Sequence, residues 1–137
     1  DTYGGKAVLD AGGEPAFAEI AILRLLLRAG WDGIWIDTFG SQYRRSYWNH
    51  DTSVTLPGSI QKRLDSITDE NGTTSGCFDV CAWNGDQMLF AEAKRAGRDQ
   101  IRDTQRRWVE SAIRVGVAPD ALLVVEWSLH GEPESPE

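Results

Sequence analysis

The stretch Phe78-Asp79-Val80-Cys81-Ala82-Trp83-Asn84-Gly85-Asp86-Gln87-Met88-Leu89-Phe90-Ala91-Glu92-Ala93-Lys94 decides the fold. Two apolar runs, 78–83 and 88–94, flank Asn84-Gly85-Asp86, and Asn-Gly favours the tight turns whose twist matches paired strands. The two runs therefore read as an antiparallel hairpin. Side chains alternate along a strand, so Met88, Phe90, Glu92 and Lys94 share one face of the second run, while Asp79 shares a face of the first with Cys81 and Trp83. An acid and an amine side by side on an apolar strand face are costly to bury without a chemical role. Two carboxylates and a lysine converging from adjacent strands suit a hard divalent cation with a nucleophilic water beside it.

Upstream of the hairpin, Glu14-Pro15 opens a helix, with proline at a first-turn position where its missing N–H costs nothing. The pattern predicts a helix through Ala29 that stops at Gly30, a C-terminal glycine. At about 100° per residue, Glu19, Ile22, Leu23 and Leu26 share one face, and Arg24 and Arg28 lie on the other. Glu19 is thus an acid on a core-facing stripe. It is either a helix-start acid favoured by the helix dipole or a member of the site. Trp31 to Thr38 reads as a first strand, with Ile34 and Ile36 alternating against Trp35 and Asp37. Residues 40–76 are the least regular part, with a short helix expected over 59–67. Within them Gln42-Tyr43-Arg44-Arg45-Ser46-Tyr47-Trp48-Asn49-His50 interleaves cations and aromatics, which suits either a clamp for phosphates and unstacked bases or an amphipathic hairpin.

Downstream, a helix is expected over 99–115, with Ile101, Gln105, Trp108 and Ala112 on its inward face. Ala121-Leu-Leu-Val-Val-Glu-Trp127 is a near-continuous apolar run, as expected for a strand at the buried centre of a sheet. Residues 130–137 are acidic and Pro-rich and read as a tail or linker. There are no internal repeats.

The chain has 137 residues, 41% of them hydrophobic and 26% charged, which fits one globular domain with a real core. Its net charge of −7 argues against a general nucleic-acid glue. The distribution is uneven. Residues 94–114 hold seven cations (Lys94, Arg95, Arg98, Arg102, Arg106, Arg107 and Arg114) against Asp99, Asp103 and Glu110. This stripe is either a solvated helix face with i,i+3 and i,i+4 pairs or a set of phosphate contacts. No apolar run approaches the ~20 residues of a membrane span, and the N-terminus lacks the basic and apolar regions of a signal peptide. Met88 is the one methionine, which fits a domain excised from a longer protein or a processed product. Cys77 and Cys81 read as two small buried hydrophobes in a reducing, cytoplasmic setting. A zinc role would need further ligands, and His50 and His130 are distant in sequence.

Asp79 followed by Glu92-Ala93-Lys94 resembles the PD-(D/E)XK nuclease superfamily, with Phe78 standing where the namesake motif has proline. The stretch Lys94-Arg-Ala-Gly-Arg-Asp-Gln-Ile-Arg-Asp-Thr-Gln105-Arg-Arg-Trp108, with Gly116 downstream, is similar to the VRR-NUC branch. There the Glu-x-Lys strand leads through a Gly-containing loop into a helix with Gln-x-x-Trp. The resemblance covers roughly residues 14–127. It implies an α/β fold: a restriction-endonuclease-like α-β-β-β-α-β core with a central mixed sheet flanked by helices. The nuclease domain would span 14–129, with an insert at 40–76 and a lead-in at 1–13. The implied activity is Mg²⁺- or Mn²⁺-dependent hydrolysis of phosphodiester bonds, in DNA ahead of RNA, with selectivity for flaps or junctions. The alternatives are an RNA-cleaving effector domain and a catalytically inactive nucleic-acid-binding module. By the same resemblance Asp79, Glu92 and the Ala93 carbonyl hold the metal, and Glu19 joins directly or through water. Lys94 orients the attacking water or stabilises the transition state, and Gln105 is a supporting polar contact. Arg44, Arg45, Arg95, Arg98 and Arg102 would meet the nucleic-acid backbone. A homodimer is one way for so small a domain to reach two strands.

Overall fold

A computed structural model describes residues 2–3, 6–7, 9–11, 14–16, 18–37, 42–45 and 53–128. Two short antiparallel hairpins come first: β1 (Thr2–Tyr3) with β2 (Lys6–Ala7), and β3 (Leu9–Ala11) with β4 (Glu14–Ala16). The helix start expected at Glu14-Pro15 is therefore corrected, and the lead-in at 1–13 contains short strands. Ala11 pairs with Glu14 across Gly12-Gly13, and Gly-Gly is a hairpin signal that competes with the helix-opening proline. Helix α1 (Ala18–Arg28) begins only afterwards and turns out through Ala29 and Gly30, as expected.

Among the described residues five strands form the main sheet: β5 (Asp32–Asp37), β6 (Gln42–Arg44), β7 (Val80–Asn84), β8 (Gln87–Arg95) and β9 (Leu122–Trp127), in the spatial order β6-β5-β7-β8-β9. All neighbours are antiparallel except β8 and β9, which run parallel. A parallel pair needs a crossover, and it is supplied by α3 (Asp103–Arg114) and the short 3₁₀ turn η1 (Pro119–Ala121). Asn84 pairs with Gln87, so the hairpin turn lies within the expected Asn84-Gly85-Asp86 and its two loop residues are Gly85-Asp86, with Gly85 at φ 60 supplying the left-handed position. The 40–76 insert contributes β6 and α2 (Gly58–Asn71), a helix four residues longer at its C-terminal end than the sequence suggests.

The sheet is covered on both faces, which makes the fold α/β in three layers. On one face Ile20 and Leu23 of α1 pack against Trp35, Val80 and Ala91. On the other, Ile60, Leu64 and Ile67 of α2 and Trp108 and Ala112 of α3 pack on Ile34, Cys81, Met88 and Phe90. Trp108 is the centre of that side. It stacks on Phe78 at 5.2 Å and meets Phe90 edge-on at 5.0 Å, arrangements the aromatic quadrupole favours. Ser111 joins the two helices by donating to Asn71 Oδ1 at 3.1 Å.

One expectation about the sheet is overturned. The apolar run 121–127 is not at the centre: β9 is the last strand of the sheet, with Leu123 40% and Val124 47% exposed. Hydrophobicity alone cannot separate a central strand from an edge strand whose exposed side chains have another use. The helix expected from Asp99 starts at Asp103, because Asp99 is spent on a turn. Its Oδ2 accepts the Arg95 N–H at 2.9 Å, and the Arg98 and Asp99 N–H groups both donate to the Arg95 carbonyl.

Candidate functional site

The site forms where β7 and β8 part. Their ladder ends at Val80 opposite Ala91, while β8 continues to Arg95 alongside β9. Asp79, just before β7, sits at this fork and is held from both sides. Its carbonyl accepts the Ile36 N–H of β5 at 2.7 Å, and its own N–H donates to Glu92 Oε1 at 3.0 Å. The second Glu92 oxygen, Oε2, accepts from Gln105 Nε2 at 2.7 Å and lies 3.5 Å from Lys94 Nζ. Gln105 is oriented in turn by accepting the Arg102 N–H on its Oε1 at 3.0 Å, a bond made at the first turn of α3. One carboxylate is thus fixed by a backbone amide, a side-chain amide and an ammonium group, and the amide is itself fixed by a backbone donor.

Glu92 at 5%, Lys94 and Gln105 at 7%, and Glu19 of α1 at 6% are buried, while Asp79 is half-buried. Burial pushes the Glu92 carboxyl above the usual carboxylate range. The Lys94 ammonium and the hydrogen bonds from Asp79 and Gln105 pull it back, and the charge of Glu19 pushes it up again. Glu19 is therefore close enough to act on Glu92 electrostatically. Its place on the buried stripe with Leu23 agrees with the periodicity of α1. Ala93 is buried on β8 and pairs with Val125 of β9. Among the described residues, no three histidine, cysteine, aspartate or glutamate side chains gather into a ready-made metal cage. The carboxylates remain close enough to repel one another in a buried place, a situation a cation relieves, and a cation that keeps several of its own waters needs only one or two of them.

The two cysteines are free thiols. Burial pushes Cys81 up to about 12. Burial, then Cys81, Asp79 and Glu92, raise Cys77 as well. Both are protonated near neutral pH, as small apolar residues would be.

The five expected nucleic-acid contacts divide into two groups at opposite sides of the sheet. Arg44 lies on β6, and Arg45 just beyond it folds back on β5, with Nη2 at 2.9 Å from Asp32 Oδ1 and Nε donating to the Gly33 carbonyl at 3.2 Å. Residues 46–50 of the aromatic and cationic run lie outside the described residues. Arg95, Arg98 and Arg102 are at the C-terminal end of β8 and the entry to α3, next to Lys94. Arg95 also stands 5.3 Å over the Trp127 ring.

A crevice of about 560 Å³ opens beside Lys94, lined by Arg98, Ile101, Arg106, Val124 and Glu126 among others. Val124 and Glu126 were not picked out by sequence reasoning. In the parallel register Glu92 pairs with Val124 and Lys94 with Glu126, so the two strands present Glu-x-Lys and Val-x-Glu on the same face. The signal was a glutamate inside an apolar run, which a strand buried on both faces would rarely carry. Compared with protein-family models, with curated proteins and with solved structures, the chain has no match in any of the three.

Proposed function

We propose that this chain is a divalent-metal-dependent nuclease that hydrolyses phosphodiester bonds in DNA, with a PD-(D/E)XK site on a restriction-endonuclease-like core. The observation that carries the reading is the buried Glu92–Lys94 pair, clamped by Asp79 and Gln105 and opening on a crevice with arginines at its rim. The order α1, β5, β7, β8, α3, β9 supports it, with β6 and α2 as additions between the first and second core strands. A catalytically idle binding fold would gain nothing from a lysine and two carboxylates kept out of water at a cost.

Glu92 and Asp79 would hold the cation, with Glu19 acting directly or through water and the Ala93 carbonyl as a further oxygen ligand. Mg²⁺ or Mn²⁺ suits such a set, because it takes oxygen ligands and keeps several waters. When bound, the metal supplies a water of lowered pKa and neutralises charge on the phosphate. The chain's own groups do the rest. Lys94, fixed beside Glu92, places a positive charge where the transition state gathers negative charge. Gln105 holds the Glu92 carboxylate in one orientation, so its other lone pairs stay directed toward the site. Arg98 and Arg106 attract the substrate backbone to a chain that is acidic elsewhere.

The test is cleavage of labelled linear, flapped and four-way-junction DNA and of an RNA hairpin, in Mg²⁺, Mn²⁺ or EDTA, by wild type, Glu92→Gln and Lys94→Met. Metal-dependent cutting that both variants lose, while melting curves show them folded, is the expected result. RNA cut in preference to DNA would correct the substrate. No cutting of any strand, with no metal binding by calorimetry, would overturn the enzyme reading.

A further inference from the structure

We infer that the crevice between the 96–102 turn and the edge strand β9 is a subsite for one unpaired nucleotide next to the phosphate being cut. This rests on the nuclease reading. The two walls differ in chemistry. One, from the turn and α3, carries Arg98, Ile101 and Arg106, with Asp99 held by the Arg95 N–H; the other, from β9, carries Val124 and Glu126. Val124 is 47% exposed although it stands beside the buried Glu92 on the same sheet face. An apolar side chain left open next to the most constrained polar group in the molecule is a surface awaiting a flat apolar partner.

A phosphate would not rest against Glu126, where carboxylate and phosphate repel, so the backbone belongs on the arginine wall. Arg106 is available for it. Its 3.2 Å pair with Asp103 is between side chains 66% and 80% exposed, and such pairs contribute little and re-form easily. The base then lies over Val124 and Ile101, as bases taken out of a stack lie on apolar side chains. Glu126 can accept a hydrogen bond from the base edge. In a duplex the donors of the Watson–Crick edge are already used and the base faces are stacked, so a paired nucleotide offers Glu126 only a groove-edge donor and cannot lie flat on Val124. At about 560 Å³ the crevice has the size of a small-molecule site. It can take a nucleotide but no duplex.

The experiment measures binding and cutting separately. Anisotropy in EDTA, where nothing is cleaved, compares a labelled single strand of mixed sequence with its blunt duplex, for wild type, Val124→Asp, Val124→Thr and the double variant Arg98→Ala/Arg106→Ala. Val124→Thr keeps the shape and strand preference of valine and guards against a variant that fails to fold. The single strand is expected to bind more tightly than the duplex. Val124→Asp and the double arginine variant should each weaken single-strand binding by about tenfold, Val124→Thr by less, and none should alter duplex binding to that degree. Equal binding of single strand and duplex, indifference to all three variants, or no binding of either form would overturn the subsite. Cleavage of the same strands in Mg²⁺ keeps the two readings apart. Cutting by wild type with binding unmoved by the crevice variants removes the subsite and leaves the nuclease. The expected binding pattern with no cutting removes the nuclease and leaves a single-strand site.

Discussion

Glu92 is the residue on which the site turns, and its environment makes a pH prediction. Because burial raises its pKa in the folded chain, the folded state holds that proton more tightly than the unfolded state does. The stability from this linkage is fully present below the unfolded glutamate value and is lost as pH rises through the raised one. In EDTA, the unfolding temperature of wild type relative to Glu92→Gln should therefore fall across that window and stay level on either side of it. A gap that does not change with pH would contradict the burial argument. Gly76 is the second such residue. It has φ +84, and a Cβ there would overlap the Thr104 carbonyl and crowd the Gln105 amide. The chain just before Asp79 thus touches the backbone that carries Gln105. Gly76→Ala should cost about 2 kcal/mol or more from left-handed backbone strain and overpacking. It should also lower kcat, since Gln105 must move. Denaturant unfolding and steady-state kinetics on the same preparation check both.

At the scale of elements, α3 has two tasks on one face. Trp108 anchors it between Phe78 and Phe90, and Gln105, almost one turn earlier, reaches Glu92. Trp108→Ala should lose about 3–5 kcal/mol, as buried aromatics do, measured by urea unfolding. Trp108→Phe should lose much less. The Gln105, Trp108 and Ala112 face of α3 was legible in the sequence, though Ile101, expected on it, precedes the helix; so were the β7–β8 hairpin, the exit of α1 and the facing of Glu92 and Lys94, because each is a local pattern of period 2 or 3.6. What was not legible depended on competition or on distant neighbours. Pro15 suits a helix start and a short hairpin strand equally well, and pairing with 9–11 decided it. Asp99 looked like the first acid of a helix but closes a turn on Arg95. The apolar run 122–127 looked central because nothing inside it records how many strands flank it. Arg44 and Arg45 carried the right charge, but the spatial order of strands placed them three strands from β8.

For the whole molecule, a net charge of −7 means that the nucleic-acid affinity we propose must come from a small region. Lys94, Arg98 and Arg106 are the cations of the crevice. If each meets one phosphate, log Kd for single-stranded DNA should change with log salt by a slope of about 2 in magnitude. A titration between low and physiological salt measures it. A much steeper slope would mean that cations outside the crevice share the binding. The rest of the chain is net acidic, so weak non-specific binding is the expected background.

The parallel register of β8 and β9 also bears on how this chain can change over time. Strand side chains alternate, so sliding β9 by one position swaps both of its faces. Glu92 and Lys94 would then stand beside Leu123 and Val125, or beside Val125 and Trp127, in place of Val124 and Glu126. The Ala96 N–H donating to the Trp127 carbonyl at 2.8 Å and the Arg95 guanidinium over the Trp127 ring pin the strand against that slip. A one-residue insertion or deletion in the connection at 115–121 could therefore remove an acid from the crevice without touching any residue that lines it. Part of the chemistry of the crevice is thus encoded in the length of the connection between α3 and β9.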